Sequence, residues 1–233
     1  MEAIILAGGR AERLGDVAAG KPKPLVEIAG RPLIAYQAAL LARAGVERVI
    51  VSCAAGRGDA FRAALAASAV EVDVAEERER LGRGGAIRFA AAWRRENADV
   101  YALNGDELLD LDFAALLDRH RRTDAAATIA VARPRSPFGV VDLDSDDRVT
   151  GFREAGRVPY WVSCGVYVLG EQALDRFPER GDHETTTFPE LAADRKLAAY
   201  RHEGLWLTVN TPKDLRVAAE YVTDHPEWLR VEA

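Results

Sequence analysis

The sequence predicts an α/β fold, a Rossmann-like three-layer α/β/α arrangement with a mostly parallel central sheet. In the first half, short runs rich in Val and Ile alternate with Ala-, Leu- and Arg-rich segments of helical spacing. Such alternation needs crossover connections, and right-handed crossovers build a parallel sheet covered by helices on both faces. After residue 122, strand-like segments follow one another directly, which predicts an added antiparallel layer.

The composition is that of an ordinary globular protein. The chain has 233 residues, of which 48% are hydrophobic and 29% are charged, and this excludes disordered and collagen-like classes. A chain of this length buries most of its unfolded surface without help from a metal or a disulfide. Because no linker is visible, we expect a single domain over residues 1–233, with a nucleotide-binding half (1–122) and a second half (123–233).

The charge balance, the cysteines and the N-terminal segment limit the kinds of binding partner and the location that we expect. Thirty-one Lys and Arg against 37 Asp and Glu give a net charge of −6, and no basic tail or stripe predicts a nucleic-acid partner. Cys53 and Cys164 lie far apart and are expected to be core residues. The apolar run at the N-terminus is too short for a signal peptide or a membrane span. We therefore expect a cytoplasmic protein without a membrane partner, and the sequence permits a homo-oligomer.

The elements of the first half begin with a strand at residues 2–7. A glycine-rich loop over residues 8–30 follows, and then a helix that Pro32 can start and Gly45 can end. The remaining predicted elements are a strand at 47–53, a helix at 57–68, a strand at 70–75, a helix at 85–95, a strand at 99–103 and a helix at 112–122.

The second half changes to a succession of strands. They are predicted at 126–132, 139–143, 148–153 and 160–169, with a turn at 144–147. Helices at 171–177 and 188–194 and short strands around Tyr200 and at 206–209 follow. The start of a last helix is predicted at residues 211–214. Thr211 can be its N-cap, Pro212 takes the first helical position and Asp214 places an acid at the third.

The glycine loop after the first strand is the most informative segment. Gly8 and Gly9 let backbone N–H groups approach an anion closely, so a phosphate site and a plain strand-to-helix turn are both open. Lys23 lies between two prolines, which restrict its backbone. A lone lysine in such a loop is usually solvated, whereas beside a phosphate loop it would neutralise charge.

Three segments in order resemble the opening signatures of the sugar-1-phosphate nucleotidyltransferases. These signatures are L-A-G-G-x-G-x-R-L, P-K-P-L and I-x-G-x-P-L-I, and the matching segments are 6–14, 22–25 and 28–34. Further along, residues 81–87 resemble L-G-T-[AG]-G-A. Ala11 departs from the pattern where the family carries its third glycine, and Arg83 stands where Thr is usual.

The resemblance implies that an NTP and a sugar 1-phosphate are the substrates and that the antiparallel layer binds the sugar. Arg13 and Lys23 would be the catalytic cations. Asp106 follows a strand at the sheet edge where α/β proteins bind ligands, and it would hold Mg²⁺. The implied nucleotide-binding residues are Leu6, Ala7, Gly8, Gly9, Gly84, Gly85, Asn104 and Gly105.

In the second half, two segments resemble Y-G-V-V and G-F-x-E-K-P, and a third resembles N-[AG]-G-[IV]-Y. The implied sugar-phosphate residues are Gly139, Arg153, Glu154 and Ser163. Ser163 replaces the family asparagine. Ala155 occupies the place of the family lysine, so either Arg153 or Arg157 neutralises the phosphate or the acceptor is not a common hexose phosphate.

Residues 206–215 resemble W-x-D-I-G-T-P-E-D-L, in which the aspartate is a second metal ligand. Thr208 replaces that aspartate. Asn210 sits where the related N-acetylglucosamine-1-phosphate uridylyltransferases carry a metal-binding asparagine, so we expect Asn210 to be the second ligand. Alternatively, Asn210 and Thr211 only cap the last helix.

The glycine stretch at 81–87 and the compact length resemble guanylyltransferases for mannose 1-phosphate or a heptose 1-phosphate most. A uridylyl- or thymidylyltransferase of the same family is an alternative. The departures at Ala11, Ala155, Ser163 and Thr208 instead suggest a noncatalytic regulatory protein that binds a nucleotide-sugar. Because Arg13, Lys23 and Asp106 are all present, we favour the enzyme.

Overall fold

The chain alternates strands and helices as predicted, in a computed structural model that describes residues 1–9, 11–18, 20–136, 138–154 and 156–228. The strands are β1 (Glu2–Leu6), β2 (Glu27–Ile28), β3 (Arg31–Pro32), β4 (Arg48–Ala54), β5 (Glu71–Glu77), β6 (Val100–Asn104), β7 (Glu107–Leu109), β8 (Ala127–Ala132), β9 (Val140–Leu143), β10 (Val149–Arg153), β11 (Val162–Leu169), β12 (Leu197–Arg201) and β13 (Trp206–Thr208). The α-helices are α1 (Leu33–Arg43), α2 (Gly58–Ala64), α3 (Gly82–Ala91), α4 (Phe113–Arg121), α5 (Glu171–Leu174), α6 (Thr187–Ala193) and α7 (Pro212–Asp224), and 3-10 segments lie at Glu12–Ala18, Lys23–Leu25 and Pro226–Trp228.

Seven strands form the central sheet in the order β12-β8-β11-β6-β1-β4-β5. All pairings among them are parallel except those of β11, which runs antiparallel to β6 and β8. The predicted fold class is therefore confirmed. Strands of the second half extend this sheet, and the added antiparallel structure consists of the pairs β9–β10, β13–β7 and β2–β3.

Helices cover both faces of the sheet, as the continuous apolar strands require. On β1, Ala3 and Ile5 face a core shared with α1, α2 and α4, whereas Ile4 faces a core shared with α3, α5 and α6. A third apolar cluster lies beneath α7. Cys53 and Cys164 are buried free thiols, as predicted, and burial raises the pKa of each to about 12.

Several predicted boundaries shift for local reasons. The predicted helices 57–68 and 171–177 are shorter as α-helices, because their last residues form i→i−3 turns such as Ser68 N–H to the Leu65 carbonyl and Phe177 N–H to the Leu174 carbonyl. Helix α3 starts at Gly82, earlier than the predicted residue 85. In the described part of the chain, no helix combines the length and apolarity needed to cross a membrane.

The sheet order creates a crevice next to β1. The chain passes from β1 to β4 and β5 on one side and returns to β6 on the other, and Leu6 pairs with Asn104 where β1 and β6 end. At such a switch point, the loops that leave neighbouring strands run in opposite directions and open a ligand site. The glycine loop and the Asn104–Asp106 segment both begin there.

Candidate active site

The turn after β6 is packed too closely for any residue but glycine at position 105. Its N–H donates to the Leu6 carbonyl at 2.9 Å. A Cβ on Gly105 would lie 2.5 Å from the Leu6 carbonyl oxygen and 2.6 Å from Cγ of Pro24. This close approach lets the Lys23–Leu25 turn lie directly over the end of β6, beside Asp106.

Lys23 is the centre of the candidate site. It lies in a 3-10 turn between Pro22 and Pro24 and is 7% exposed. Its Nζ donates to Oδ2 of Asp106 at 2.9 Å and also to Oδ1 of Asn210. The Arg13 guanidinium donates to the same Asn210 oxygen at 3.1 Å. Four residues that were predicted from separate motifs thus lie within hydrogen-bonding distance of one another through Lys23 and Asn210. We refer to them as the Lys23 cluster: Arg13, Lys23, Asp106 and Asn210.

The start of α7 positions Asn210. Thr211 caps this helix, since its hydroxyl accepts from the Asp214 N–H, and the Asp214 carboxylate in turn accepts from the N–H groups of Asn210 and Thr211. The backbone of Asn210 therefore belongs to the helix cap while its side chain joins the cluster. Thr208 faces elsewhere and donates to Glu107 at 2.9 Å.

Glu107 was not predicted as a site residue, yet it joins the two segments that carry Asp106 and Asn210. Its carboxylate accepts hydrogen bonds from the Trp206 indole at 2.8 Å and from Thr208. Burial, and next the negative charge of Asp106, raise the pKa of Glu107 to about 8. The backbone supports the same junction, because the Val209 N–H donates to the Asp106 carbonyl at 2.9 Å.

Gln37 is a second residue missed from the sequence. It is buried in α1, and its side-chain amide donates to the carbonyls of Asn104 at 2.8 Å and Glu107 at 2.9 Å. It therefore fixes both ends of the turn that carries Asp106. A polar residue on an otherwise apolar helix face was the available signal. Within the described residues, the buried Oδ1 of Asn104 has no hydrogen-bond partner.

The Lys23 cluster offers a donor set that suits Mg²⁺. The Asp106 carboxylate and the Asn210 amide oxygen already converge on a cationic group, the Lys23 ammonium, and both are the oxygen ligands that Mg²⁺ prefers. Among the described residues, no three His, Cys, Asp or Glu side chains gather as a metal cage. A site with one or two protein ligands is typical of Mg²⁺ bound together with phosphates. Binding of Mg²⁺ by Asp106 and Asn210 stays a prediction.

A first cavity of about 520 Å³ adjoins the glycine loop and is lined by Gly8, Gly9 and Pro22 among others. Gly8 and Gly9 are exposed, and no hydrogen bond occupies their N–H groups in the part of the chain that the structure describes. The Ala7 N–H, in contrast, donates to the Ser52 carbonyl at 2.7 Å, and the Leu6 carbonyl accepts from Gly105. Free backbone donors are thus present at Gly8 and Gly9 and not at Ala7.

A second cavity has a volume of about 630 Å³, and Asn210 and Thr208 contribute to its wall together with Arg133, Arg135 and Arg157. Pro22, next to Lys23, lines the first cavity and Asn210 lines the second. The Lys23 cluster thus contributes Asn210 to the second cavity and adjoins the first through Pro22, and each cavity is within the volume range of small-molecule sites.

Gly84 and Gly85 are required by packing. A Cβ on Gly84 would lie 2.8 Å from the His183 backbone nitrogen, and one on Gly85 would lie 2.5 Å from the Glu179 carbonyl oxygen. Arg83, between Gly82 and Gly84, pairs with Asp182 and Glu184. The glycines thus let α3 pack against the 178–183 segment, and their predicted contact with a nucleotide stays a prediction.

In the described chain, no hydrogen bond or ion pair links the predicted sugar-phosphate residues to the Lys23 cluster, and their role stays a prediction. Arg153 forms a two-contact ion pair with Asp142 on the exposed β9–β10 hairpin, and Gly139 and Glu154 are exposed nearby. The Ser163 hydroxyl accepts from the Gly165 N–H at 3.2 Å within β11. In the described chain, none of the four lines the second cavity. Ala155, the position of the missing family lysine, lies outside the described residues.

The chain is similar to known proteins over nearly its whole length. The family model described as "Nucleotidyl transferase" matches residues 2–225. The mannose-1-phosphate guanylyltransferase of Mycobacterium tuberculosis is 33% identical over 95% of this chain and 65% of its own length. The mannose-1-phosphate guanylyltransferase catalytic subunit beta of Xenopus tropicalis is 29% identical over 99% of this chain and 68% of its own length.

The similarity extends to a solved structure, HddC from Yersinia pseudotuberculosis complexed with GMP-PN. It has a TM-score of 0.72 and 25% sequence identity, and the match covers 94% of this chain and 98% of that one. This chain spans about two thirds of the length of the two sequence relatives. Because the family model covers nearly all of the sequence and the fold agrees, the chain belongs to the nucleotidyl transferase family.

Proposed function

We propose that the protein transfers a guanylyl group from GTP to a sugar 1-phosphate, giving a GDP-sugar and pyrophosphate. The observation that carries this proposal is the Lys23 cluster itself, whose Asn210 lines one ligand-sized cavity and whose Lys23 follows Pro22 in the wall of another. Two substrates that react with each other need adjoining sites, and the transferred phosphorus must lie between them. The family and the names of its mannose-1-phosphate relatives support this reaction.

In the proposed reaction, a phosphate oxygen of the sugar 1-phosphate attacks the α-phosphorus of GTP. A new P–O bond forms while the bond from the α-phosphorus to the bridging oxygen breaks, and pyrophosphate leaves with that oxygen. Lys23 and Arg13 neutralise negative charge on the phosphates, and the free N–H groups of Gly8 and Gly9 offer backbone donors. Because the acceptor supplies the nucleophile, no protein nucleophile is needed.

Lys23 and Arg13 can stabilise phosphate charge effectively because hydrogen bonds hold them in place. The Lys23 ammonium is held by Asp106 and Asn210 and is largely shielded from solvent, so little reorganisation is needed when phosphate charge arrives. Asp106 and Asn210 are also the residues that would hold Mg²⁺. When bound, the ion would supply further electrostatic stabilisation of the phosphate oxygens.

The proposal also specifies the nucleotide base, guanine, and the acceptor sugar phosphate. Guanine is supported by the names of the sequence relatives and by the GMP-PN complex of HddC. Mannose 1-phosphate is supported by the same relatives, and a heptose 1-phosphate stays an alternative acceptor. Base selection depends on a few hydrogen bonds to the base edge, so a small change in the first cavity would alter it.

The test is a pyrophosphate-release assay with GTP, ATP, UTP and dTTP, each combined with a panel of sugar 1-phosphates, with Mg²⁺ or with a chelator. We expect turnover with GTP and mannose 1-phosphate or a heptose 1-phosphate, and loss of turnover in the chelator. Preference for UTP or dTTP would contradict the guanylyl assignment. Absence of turnover with every pair, while a nucleotide-sugar still binds, would favour a noncatalytic regulatory protein.

A further inference from the structure

We infer that arginines in the wall of the second cavity bind the phosphate of the acceptor, in place of the hairpin residues that the family resemblance indicates. The residues are Arg133, Arg135 and Arg157, with Arg201 beside them. This inference rests on the proposed function and names the anchor of its second substrate.

Arg135 and Arg157 are held next to each other by the backbone. They form an isolated antiparallel bridge, flanked by hydrogen bonds from the Val158 N–H to the Pro134 carbonyl at 3.1 Å and from the Ser136 N–H to the Gly156 carbonyl at 2.9 Å. Directly opposed residues of an antiparallel pair project to the same face, and two like charges in that position repel. An anion bound between the two guanidinium groups would remove this repulsion.

Trp161 fixes two further arginines. The Arg133 guanidinium lies 4.6 Å from the centre of the Trp161 ring, and that of Arg201 lies 5.2 Å from the same centre. A guanidinium stacked on an aromatic ring keeps its N–H groups available at its edge. The indole therefore orders two cations without neutralising them.

Within the described residues, three of these four arginines have no carboxylate partner, and the fourth has a distant one. In the described part of the chain, no carboxylate lies within 4.0 Å of Arg133, Arg135 or Arg201, and Arg157 has only a 3.7 Å contact with Glu203. Arg153, by comparison, is bound through two contacts to Asp142. An excess of unneutralised guanidinium groups in a chain of net charge −6 indicates an anion site, since guanidinium groups bind phosphate through paired hydrogen bonds.

The position of these arginines identifies the anion as the acceptor phosphate. Arg133, Arg135 and Arg157 share the second cavity with Asn210, whereas the glycine loop belongs to the first cavity. A triphosphate on the glycine loop would therefore occupy a cavity whose lining residues differ from those around the arginines. Several arginines in this wall would also supply the positive charge that the family lysine provides and that Ala155 lacks.

The experiment compares Arg135→Ala, Arg157→Ala, their double variant and Arg153→Ala with wild type in steady-state kinetics and in calorimetric titration with the sugar 1-phosphate that wild type turns over, expected to be mannose 1-phosphate. The expected changes below concern Arg135→Ala, Arg157→Ala and the double variant, and Arg153→Ala tests the hairpin. We expect KM and Kd for the sugar phosphate to rise roughly tenfold or more, as for loss of a charged hydrogen bond, while KM for GTP changes less than about twofold. The matched control is Arg148→Ala, an exposed arginine at the tip of the β9–β10 hairpin, which should leave both KM values unchanged. Thermal melting checks that each variant is folded.

Three outcomes would overturn the inference. They are an unchanged acceptor KM in the double variant, an equal rise in KM for GTP, and a rise in acceptor KM confined to Arg153→Ala. Any of these, together with normal wild-type turnover, would remove the arginine site and leave the proposed function intact. If wild type neither turns over nor binds any sugar 1-phosphate of the panel, including mannose 1-phosphate and a heptose 1-phosphate, the proposed function and the inference fail together.

Discussion

At the scale of single residues, the environment of Lys23 distinguishes it from the other lysines. Lys196, for example, forms an ion pair with Asp124 at the surface, whereas Lys23 is buried against Asp106 and Asn210. We expect Lys23→Ala to lower kcat/KM for GTP by a factor on the order of 100 to 1000, because a fixed charge would be lost where phosphate charge develops. Lys196→Ala is the control for removal of a lysine. Near-normal kinetics of a folded Lys23→Ala protein would exclude this role.

Asp106 should determine metal affinity. We expect Asp106→Ala to weaken Mn²⁺ binding in the presence of GTP by about tenfold or more, measured by electron paramagnetic resonance, since even residues that only support a metal ligand contribute that much. The control is Asp118→Ala, which removes an exposed carboxylate from α4. Equal Mn²⁺ affinity in the two variants would place the metal elsewhere.

His183 should make stability depend on pH. It has no solvent exposure, stacks on Phe177 at 4.9 Å, and its ring nitrogens have no hydrogen-bond partner among the described residues. Burial lowers its pKa from 6.5 to about 4. The unfolded chain therefore binds a proton first as pH falls, and the free energy of unfolding decreases between pH 6.5 and pH 4, by up to about 3 kcal/mol from this group.

The check is urea denaturation of wild type and His183→Phe at several pH values from 7.5 to 4. We expect the substitution to remove part of the decrease, because phenylalanine has no proton to bind. His225→Phe, at a histidine stacked on Tyr221 after α7, is the matched control. Parallel pH curves for wild type and His183→Phe would show that the buried imidazole does not titrate in this way.

The residues of the Lys23 cluster could be predicted because each belongs to a contiguous motif. Glu107 and Gln37 could not, because their roles depend on partners far along the chain. Glu107 contacts Trp206 across the β7–β13 pair, and Gln37 reaches from α1 to the end of β6. A motif specifies the side chain that performs chemistry more readily than the side chain that holds it in place.

At the scale of elements, β1, β6 and the Lys23–Leu25 turn pack so closely that there is no room for a side chain at Gly105. We expect Gly105→Ala to destabilise the protein by about 1–3 kcal/mol, because the new methyl group would overlap the Leu6 carbonyl and Pro24. Gly9→Ala is the control for stability, since among the described residues no atom outside the chain neighbours of Gly9 lies within 4 Å of a Cβ at that position. Urea denaturation measures both, and equal stability would mean that the turn can move away.

Long elements were predictable, whereas most of the shortest ones were not, with β13 (predicted at 206–209) as the exception. The strands β1, β4 and β6 carry apolar runs that their sequence shows directly, whereas β2, β3 and β7 have only two or three residues and no detectable period. The start of α3 was misplaced because glycine disfavours a helix. Packing against the 178–183 segment overrides that preference at Gly84 and Gly85.

At the scale of the whole molecule, the alternation of strands and helices was enough to predict the layers and the sheet edge that carries the site. It could not predict that β11 enters the main sheet between β6 and β8, because strand order depends on long-range pairing. For the same reason, the second cavity and its arginines emerge only from the folded chain. Residues 133, 157 and 210 come together there from three distant segments.

The central claim is that the transferred phosphorus lies at the Lys23 cluster, with one substrate in each cavity. The most direct measurement is a crystal structure with a non-hydrolysable GTP analogue and mannose 1-phosphate. The account predicts the nucleotide phosphates at Gly8 and Gly9, the α-phosphate beside Lys23, and the sugar phosphate in the second cavity. A nucleotide bound away from Lys23 and Asp106 would contradict it.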